Sequence, residues 1–190
     1  MKTQFHWGLT CVAMAALVTV AGAQQNQGGG TASKLSMADQ RFMKEAAQGG
    51  MAEVQLGELA VQKASSDEVK KFGQRMVDDH SKANDNLKAL ATSKGVTLPQ
   101  APDAKEEATK DRLSKLSGEQ FDKAYMSDMV RDHKKDVAAF ETESTGARDA
   151  DVRNFATDTL PTLRDHLKNA QDIAPKVMQA RGSIEPKSSQ

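Results

Sequence analysis

The chain has 190 residues, and its 26 basic side chains are matched by 26 acidic ones. That balance leaves no basic surplus for nucleic acid or anionic lipid, so neither is expected as a partner. Few aromatics (4 %) and a single cysteine exclude a disulfide scaffold and a thiolate metal centre, and the abundance of Ala, Lys, Asp, Leu and Met suits helices.

The N-terminus reads as a signal peptide over residues 1–23. Lys2 gives the positive start, residues 7–20 form an uncharged, mostly apolar run, and Ala21-Gly22-Ala23 has the small-x-small form of a cleavage site. The run is short for a spanning helix, and the competing reading is a retained N-terminal anchor. Cleavage before Gln24 removes Cys11 and His6 and leaves 167 residues (190 − 23), enough for one domain with its own core. A periplasmic or secreted protein without a membrane span is therefore expected. Residues 24–36 are Gln- and Gly-rich and read as a flexible linker.

Four long helical patterns and one short one follow, and no run reads as a strand. The first long helix covers about 37–64, with Ser36 as N-cap and Phe42, Ala46, Leu56 and Ala60 as apolar positions. Its Gly49, Gly50 and Gly57 are poor helix formers whose use is to let another helix come close. The second opens at a capping box, Ser65-x-x-Glu68, carries Val69, Phe72, Met76, Ala83, Leu87 and Leu90, and stops near Gly95. Pro99 and Pro102 break the chain, and a short amphipathic helix uses Leu113 and Leu116. A second capping box, Ser117-x-x-Gln120, opens the third long helix, which Gly146 ends. The fourth covers about 149–173 with Pro161 inside it. The predicted fold is all-α: a ferritin-like four-helix bundle over 37–176, with a long crossover between the second and third long helices and a disordered tail over 177–190. An up-and-down bundle with a long loop is the alternative.

All three histidines of the expected mature chain stand in the phrase Asp-His-x-Lys, as Asp79-His80, Asp132-His133 and Asp165-His166. His80 shares a helical stripe with Phe72, Met76, Ala83 and Leu87; His133 with Met126, Met129, Val137 and Phe140; His166 with Leu163, Ala170 and Ile173. Each points at the core from near the middle of its helix, as does Glu53 on the first. In a bundle of equal helices the midpoints share a level, so Glu53, His80, His133 and His166 are expected to meet.

Three imidazoles and a carboxylate suffice for Zn, Cu, Fe or Mn. Met76 and Met129 are possible soft ligands that would favour copper, although Met at helical spacing is ordinarily core filler. Asp79, Asp132 and Asp165 have two readings: hydrogen-bond acceptors that fix a histidine on a neighbouring helix, or partners of Lys82, Lys135 and Lys168 in i, i+3 ion pairs. A di-iron centre needs Glu-x-x-His, but Val77, Val130 and Leu163 stand three before the histidines. The competing class is a metal-free envelope protein, structural or stress-protective, acting through its surface with the histidines as a buried pH-sensitive network. No nucleophile elbow, phosphate loop or His-Glu-x-x-His run points to a conventional enzyme.

Several phrases, taken in order, resemble a known family. They are the run from Phe42 to Val54, the run from Phe72 to Lys82, Tyr125-Met126-x-x-Met129-Val130-x-Asp132-His133, and Thr159-Leu160-Pro161-Thr162-Leu163-Arg164-Asp165-His166. Together they resemble the exported bacterial domain-of-unknown-function family 4142 across most of residues 37–174. The resemblance implies a ferritin-like helical fold and, in a Gram-negative host, a periplasmic location. It supplies no activity and no assigned site.

Overall fold

The structure is a computed structural model that describes residues 35–179. The expected signal peptide with His6 and Cys11, its cleavage site, most of the linker and the last part of the tail lie outside the described residues. Five helices make up the described chain: α1 (Met37–Lys63), α2 (Asp67–Lys94), α3 (Ala104–Ser114), α4 (Gly118–Gly146) and α5 (Ala150–Gln179). No described helix is long and apolar enough to cross a membrane.

Local chemistry explains most boundaries. Ser36 caps α1 by accepting from the Asp39 N–H at 3.0 Å. Gly95 ends α2 in the left-handed conformation, φ 65°, which costs glycine little. Asp103 caps α3 through the N–H groups of Lys105 and Glu106. The two expected capping boxes do not form. Ser117 precedes α4 without a side-chain cap, and the cap position of α2 is Ser66, also without one. A distant side chain substitutes for the missing cap of α2. Asp122 on α4 accepts the N–H groups of Ser65 at 3.1 Å and Ser66 at 2.9 Å and the Ser65 hydroxyl at 2.5 Å. Helix α5 runs through Pro161 and Pro175 to Gln179, six residues past its expected end near 173 and three past the expected bundle boundary at 176. Leu160, Leu163 and Val177 are buried, so packing holds the helix together where the prolines remove backbone donors.

Helices α1 and α2 form one hairpin and α4 and α5 another; α1 also lies against α4, and α2 against α5. Bonds between their ends give the directions. The α1–α2 turn is bonded to the first turns of α4 through Asp122, so α2 and α4 start at the same end. Lys94, ending α2, pairs with Asp149 and Asp151 at the start of α5 at 2.8 and 2.6 Å. Lys176, near the end of α5, pairs with Glu68 at the start of α2. Each helix is thus antiparallel to its neighbours, while α2 and α4 run parallel. The chain between those two must travel the length of the helices, and α3 rides on that path against α1 and α4.

The hairpins repeat one another. Asp39 and Asp122 lie 83 positions apart (122 − 39), and the same offset pairs Phe42 with Tyr125, Met43 with Met126, Glu53 with Asp136, Val69 with Val152 and Phe72 with Phe155. The bonds repeat too. Asp39 accepts the N–H groups of Arg148 at 3.3 Å and Asp149 at 3.1 Å, the counterparts of Ser65 and Ser66. Each hairpin therefore caps the second helix of the other.

Two apolar clusters fill the interior. One gathers Leu56, Val69, Phe72, Met76, Phe121 and Tyr125, with Leu113 from α3. The other gathers Phe42, Met43, Leu87, Phe140, Val152 and Leu163. In sequence the histidines fall between them: His80, for example, stands between Met76 of the first cluster and Leu87 of the second.

Candidate metal centre

His80 comes from α2, His133 from α4 and His166 from α5, and the three side chains meet. Their ring centroids lie 5.7, 5.2 and 5.3 Å apart, and each offers one nitrogen such that the three lie within 4.8 Å of one another. His133 and His166 are fully buried and His80 is 7 % exposed. Ligand nitrogens around a tetrahedral ion bound at about 2.0–2.1 Å sit about 3.4 Å apart. That spacing falls inside the 4.8 Å limit within which the three nitrogens lie.

The hydrogen bonds decide which nitrogens are free. His133 Nδ1–H donates to the Met129 carbonyl, four residues back, at 3.0 Å. His166 Nε2–H donates to Asp79 Oδ2 across the α2–α5 contact at 2.8 Å. Carbonyl and carboxylate oxygens only accept, so both protons are placed and both opposite nitrogens carry lone pairs. Those nitrogens, His133 Nε2 and His166 Nδ1, are buried without a partner, and so is His80 Nε2.

Electrostatics keeps the rings neutral. Burial pushes His80 well down, with further lowering from the other two rings. Burial also takes His133 to about 4, helped by His166 and opposed by the bond to Met129. For His166 burial outweighs the raising effect of Asp79. Burial opposes ionisation of Asp79, but the bonds from His166 and Arg75 outweigh it and hold this carboxylate below its ordinary range. Arg75 in turn bridges Asp79 at 3.2 Å and Asp165 at 2.7 Å.

Glu53 is elsewhere. Among the described residues, the histidine group is the set of His, Cys, Asp and Glu donors that converges in this way, and Glu53 is outside it. Its carboxyl is 4 % exposed, with Oε2 unpartnered, and is pushed well up by burial and then by Asp136, Asp132, Glu106 and Asp128. The repeat supplies the reason. The α1 counterpart of His133 is Gly50, while Glu53 matches Asp136, three residues past the histidine. Three residues turn a helix by about 300°, so Glu53 points about 60° away from the inward direction. Glu53 shares the middle level of the helices but turns towards α3 and α4.

The flanking residues divide. Of the three aspartates only Asp79 bonds a histidine; Asp132 is paired with Arg131 and Asp165 with Arg75. The Asp-Lys ion pairs are replaced as well. Lys168 bonds Asp172 at 2.6 Å, and the arginines take the aspartates because a guanidinium reaches two carboxylates at once. Met76 and Met129 are fully buried in the first apolar cluster. Two groups escaped the sequence reading. Asp136 had a signal only in its relation to Glu53 through the repeat. Arg75 had none, because its partners lie on two helices.

The chain matches the model of the domain-of-unknown-function family 4142 (DUF4142) over residues 24–173, and it belongs to that family. Among solved structures it is similar to a crystal structure of a DUF305 fragment from Deinococcus radiodurans, at 16 % identity and a TM-score of 0.66 over 75 % of this chain and 98 % of that one. That likeness concerns the fold alone. No curated protein matches.

Proposed function

We propose that this is an exported, ferritin-like four-helix bundle that binds one transition-metal ion through His80, His133 and His166. The observation that carries the reading is the convergence of three buried histidines, each with a buried ring nitrogen that has no hydrogen-bond partner. A buried polar atom left unpaired costs about 1–3 kcal/mol, so a metal-free polar network would hold three such losses in one place. An ion resolves all three together. Asp79 and the Met129 carbonyl do for His166 and His133 what outer partners do at metal sites: they fix the tautomer and aim the free lone pair inward. Three imidazoles suit Zn, Cu or Fe, and Glu53 is not one of the ligands. The antiparallel neighbours and the full-length crossover support the ferritin-like connectivity, and the N-terminal pattern supports export.

Elemental analysis of the untagged mature protein, with a His80→Ala/His133→Ala variant beside it, tests the reading. The expected result is near-stoichiometric metal that the variant lacks. A wild type that is empty and takes up none of Zn, Cu or Fe when they are added would sink it.

A further inference from the structure

The histidines are buried, so an ion needs a way in. Two small cavities lie end to end beside them. The outer one, about 30 Å³, lies between α1, α3 and α4 and is lined by Gly49, Glu53, Glu106, Asp132 and Asp136. The inner one, about 40 Å³, is lined by Gly49, Gly50, Asn84, Asp136 and His80. They share Gly49 and Asp136. Each exceeds the roughly 10–15 Å³ that one water needs; the outer wall is largely polar, and the inner one is mostly apolar with Asn84, Asp136, Thr159 and His80 as its polar groups.

We infer that these cavities form a water-filled passage by which a divalent cation reaches the histidine centre, with Asp136 and Glu53 as its inner acidic wall. The inference rests on the metal-binding reading and adds a route and the residues that line it. The carboxyl groups, which can give up a proton to an arriving cation, lie deeper than the basic ones. Lys105, Arg131 and Lys135 at the mouth are exposed, whereas Glu106, Asp132 and Asp136 are half-buried and Glu53 is buried. Two further atoms point to a polar occupant. Glu53 Oε2 and Glu106 Oε2, both on residues that line the outer cavity, lack a hydrogen-bond partner. The repeat explains why two acids face each other here, since Glu53 and Asp136 occupy equivalent positions on antiparallel α1 and α4. The width of the passage depends on Gly49. A Cβ built there meets nothing within 4 Å, so a larger side chain would project into open space shared by both cavities.

A second approach exists along the α2–α5 groove, whose lining includes Asp79, Ala83 and Thr159. Ala83, Phe155 and Thr159 separate that groove from the inner cavity, a wall with no carboxylate in it.

The test is stopped-flow uptake of Co²⁺, followed by its visible d–d absorption, in the wild type and in Gly49→Leu, Asp136→Asn, Glu53→Gln and Thr162→Leu, the last at a residue that lines the α2–α5 groove but neither cavity. Circular dichroism checks the fold of each, and Gly49→Ala stands in if the leucine does not fold. All variants should reach the wild-type end point, because none removes a ligand. The first three should load more slowly, by about tenfold for Asp136→Asn and Glu53→Gln, which remove carboxyl oxygens able to exchange a proton for a passing cation. Thr162→Leu should load at the wild-type rate. Equal rates throughout would overturn the passage and leave the metal site standing, and so would slowing confined to Thr162→Leu. A wild type that takes up no Co²⁺ would overturn both.

Discussion

The two hairpins are built to one plan but used differently. Both keep an aspartate that caps the other hairpin, an aromatic–methionine pair in the first helix and a Val-x-x-Phe turn in the second. The histidines obey no such symmetry. His80 has Leu163 as its counterpart, His133 has Gly50, and His166 has Ala83. What both halves share is what two antiparallel hairpins need to dock; what only one half holds at a given place is chemistry. Across the pseudo-twofold from the histidine centre, Gly50, Ala83 and Leu163 line the inner cavity instead of histidines.

The sharpest way to break the comparison is to make one half copy the other at the centre. His80→Leu copies Leu163. It should keep the fold, abolish metal binding, and remove the stabilisation that metal gives the wild type, about 4 kcal/mol at a thousandfold excess over Kd. Thermal unfolding with and without Zn²⁺ reads this out, and a metal-dependent shift surviving in the variant would contradict the assignment of His80.

Acid titration of the chelator-treated protein comes next. His133 has a folded value of about 4, below its ordinary 6.5. The unfolded chain therefore binds a proton that the folded chain refuses, and the stability of the neutral ring is complete above pH 6.5 and lost as pH falls towards 4, about 3 kcal/mol for this residue. Asp136 has the opposite sign. Burial, with Asp132, raises it from 3.8 to about 7, so the folded form holds a proton that the unfolded form releases, and stability is lost as pH rises from about 4 to 7. The two slopes oppose each other. Asp136→Asn should therefore unmask a steeper loss between pH 6.5 and 4, measured by urea midpoints; an unchanged slope would count against the burial of either group.

The reciprocal caps are the third comparison. Asp122→Ala should cost about 1–2 kcal/mol, since it removes the acceptor of two backbone donors and a hydroxyl, and Asp39→Ala somewhat less, since it serves two donors. Chemical denaturation of the two single variants checks the order. The smallest effect separates two glycines of α1. A Cβ on Gly57 would meet the Gly73 carbonyl oxygen at 2.6 Å, so Gly57→Ala should destabilise by about 1–3 kcal/mol despite its better helix propensity. Gly49→Ala meets nothing and should stabilise by up to about 1 kcal/mol. Equal shifts in melting temperature would show that propensity, not helix contact, governs both.

Helix number, the crossover and the inward histidines were legible because they rest on periodicity and proline placement, which act within one helix. His80, His133 and His166 fell on apolar stripes that the sequence displays directly. Glu53 fell on such a stripe too, yet a stripe is more than 100° wide, and the residues at its edge face different neighbours. Which neighbour Glu53 faces depends on the placement of α4 and α3, a long-range fact. The capping boxes failed for the same reason. Ser65 had the right spacing to Glu68, but Asp122, 57 residues away, gives the α2 donors an ionised acceptor. The Asp-His-x-Lys phrase mixed both kinds of information: its histidines were placed by local period, its aspartates by partners on other helices.

The exchange of caps has a consequence for how the chain comes to order. The start of α2 is completed only once α4 has arrived; α5 has a local cap in Asp149, which accepts the Asp151 and Val152 N–H groups, but its Arg148 and Asp149 donors wait for Asp39 on α1. A hairpin made alone would begin its second helix with open donors and an apolar face uncovered. During synthesis the first half should therefore stay loose until most of the second half has emerged, and the two should lock in a single cooperative step. A chain cut within the crossover should yield pieces that gain structure only when mixed.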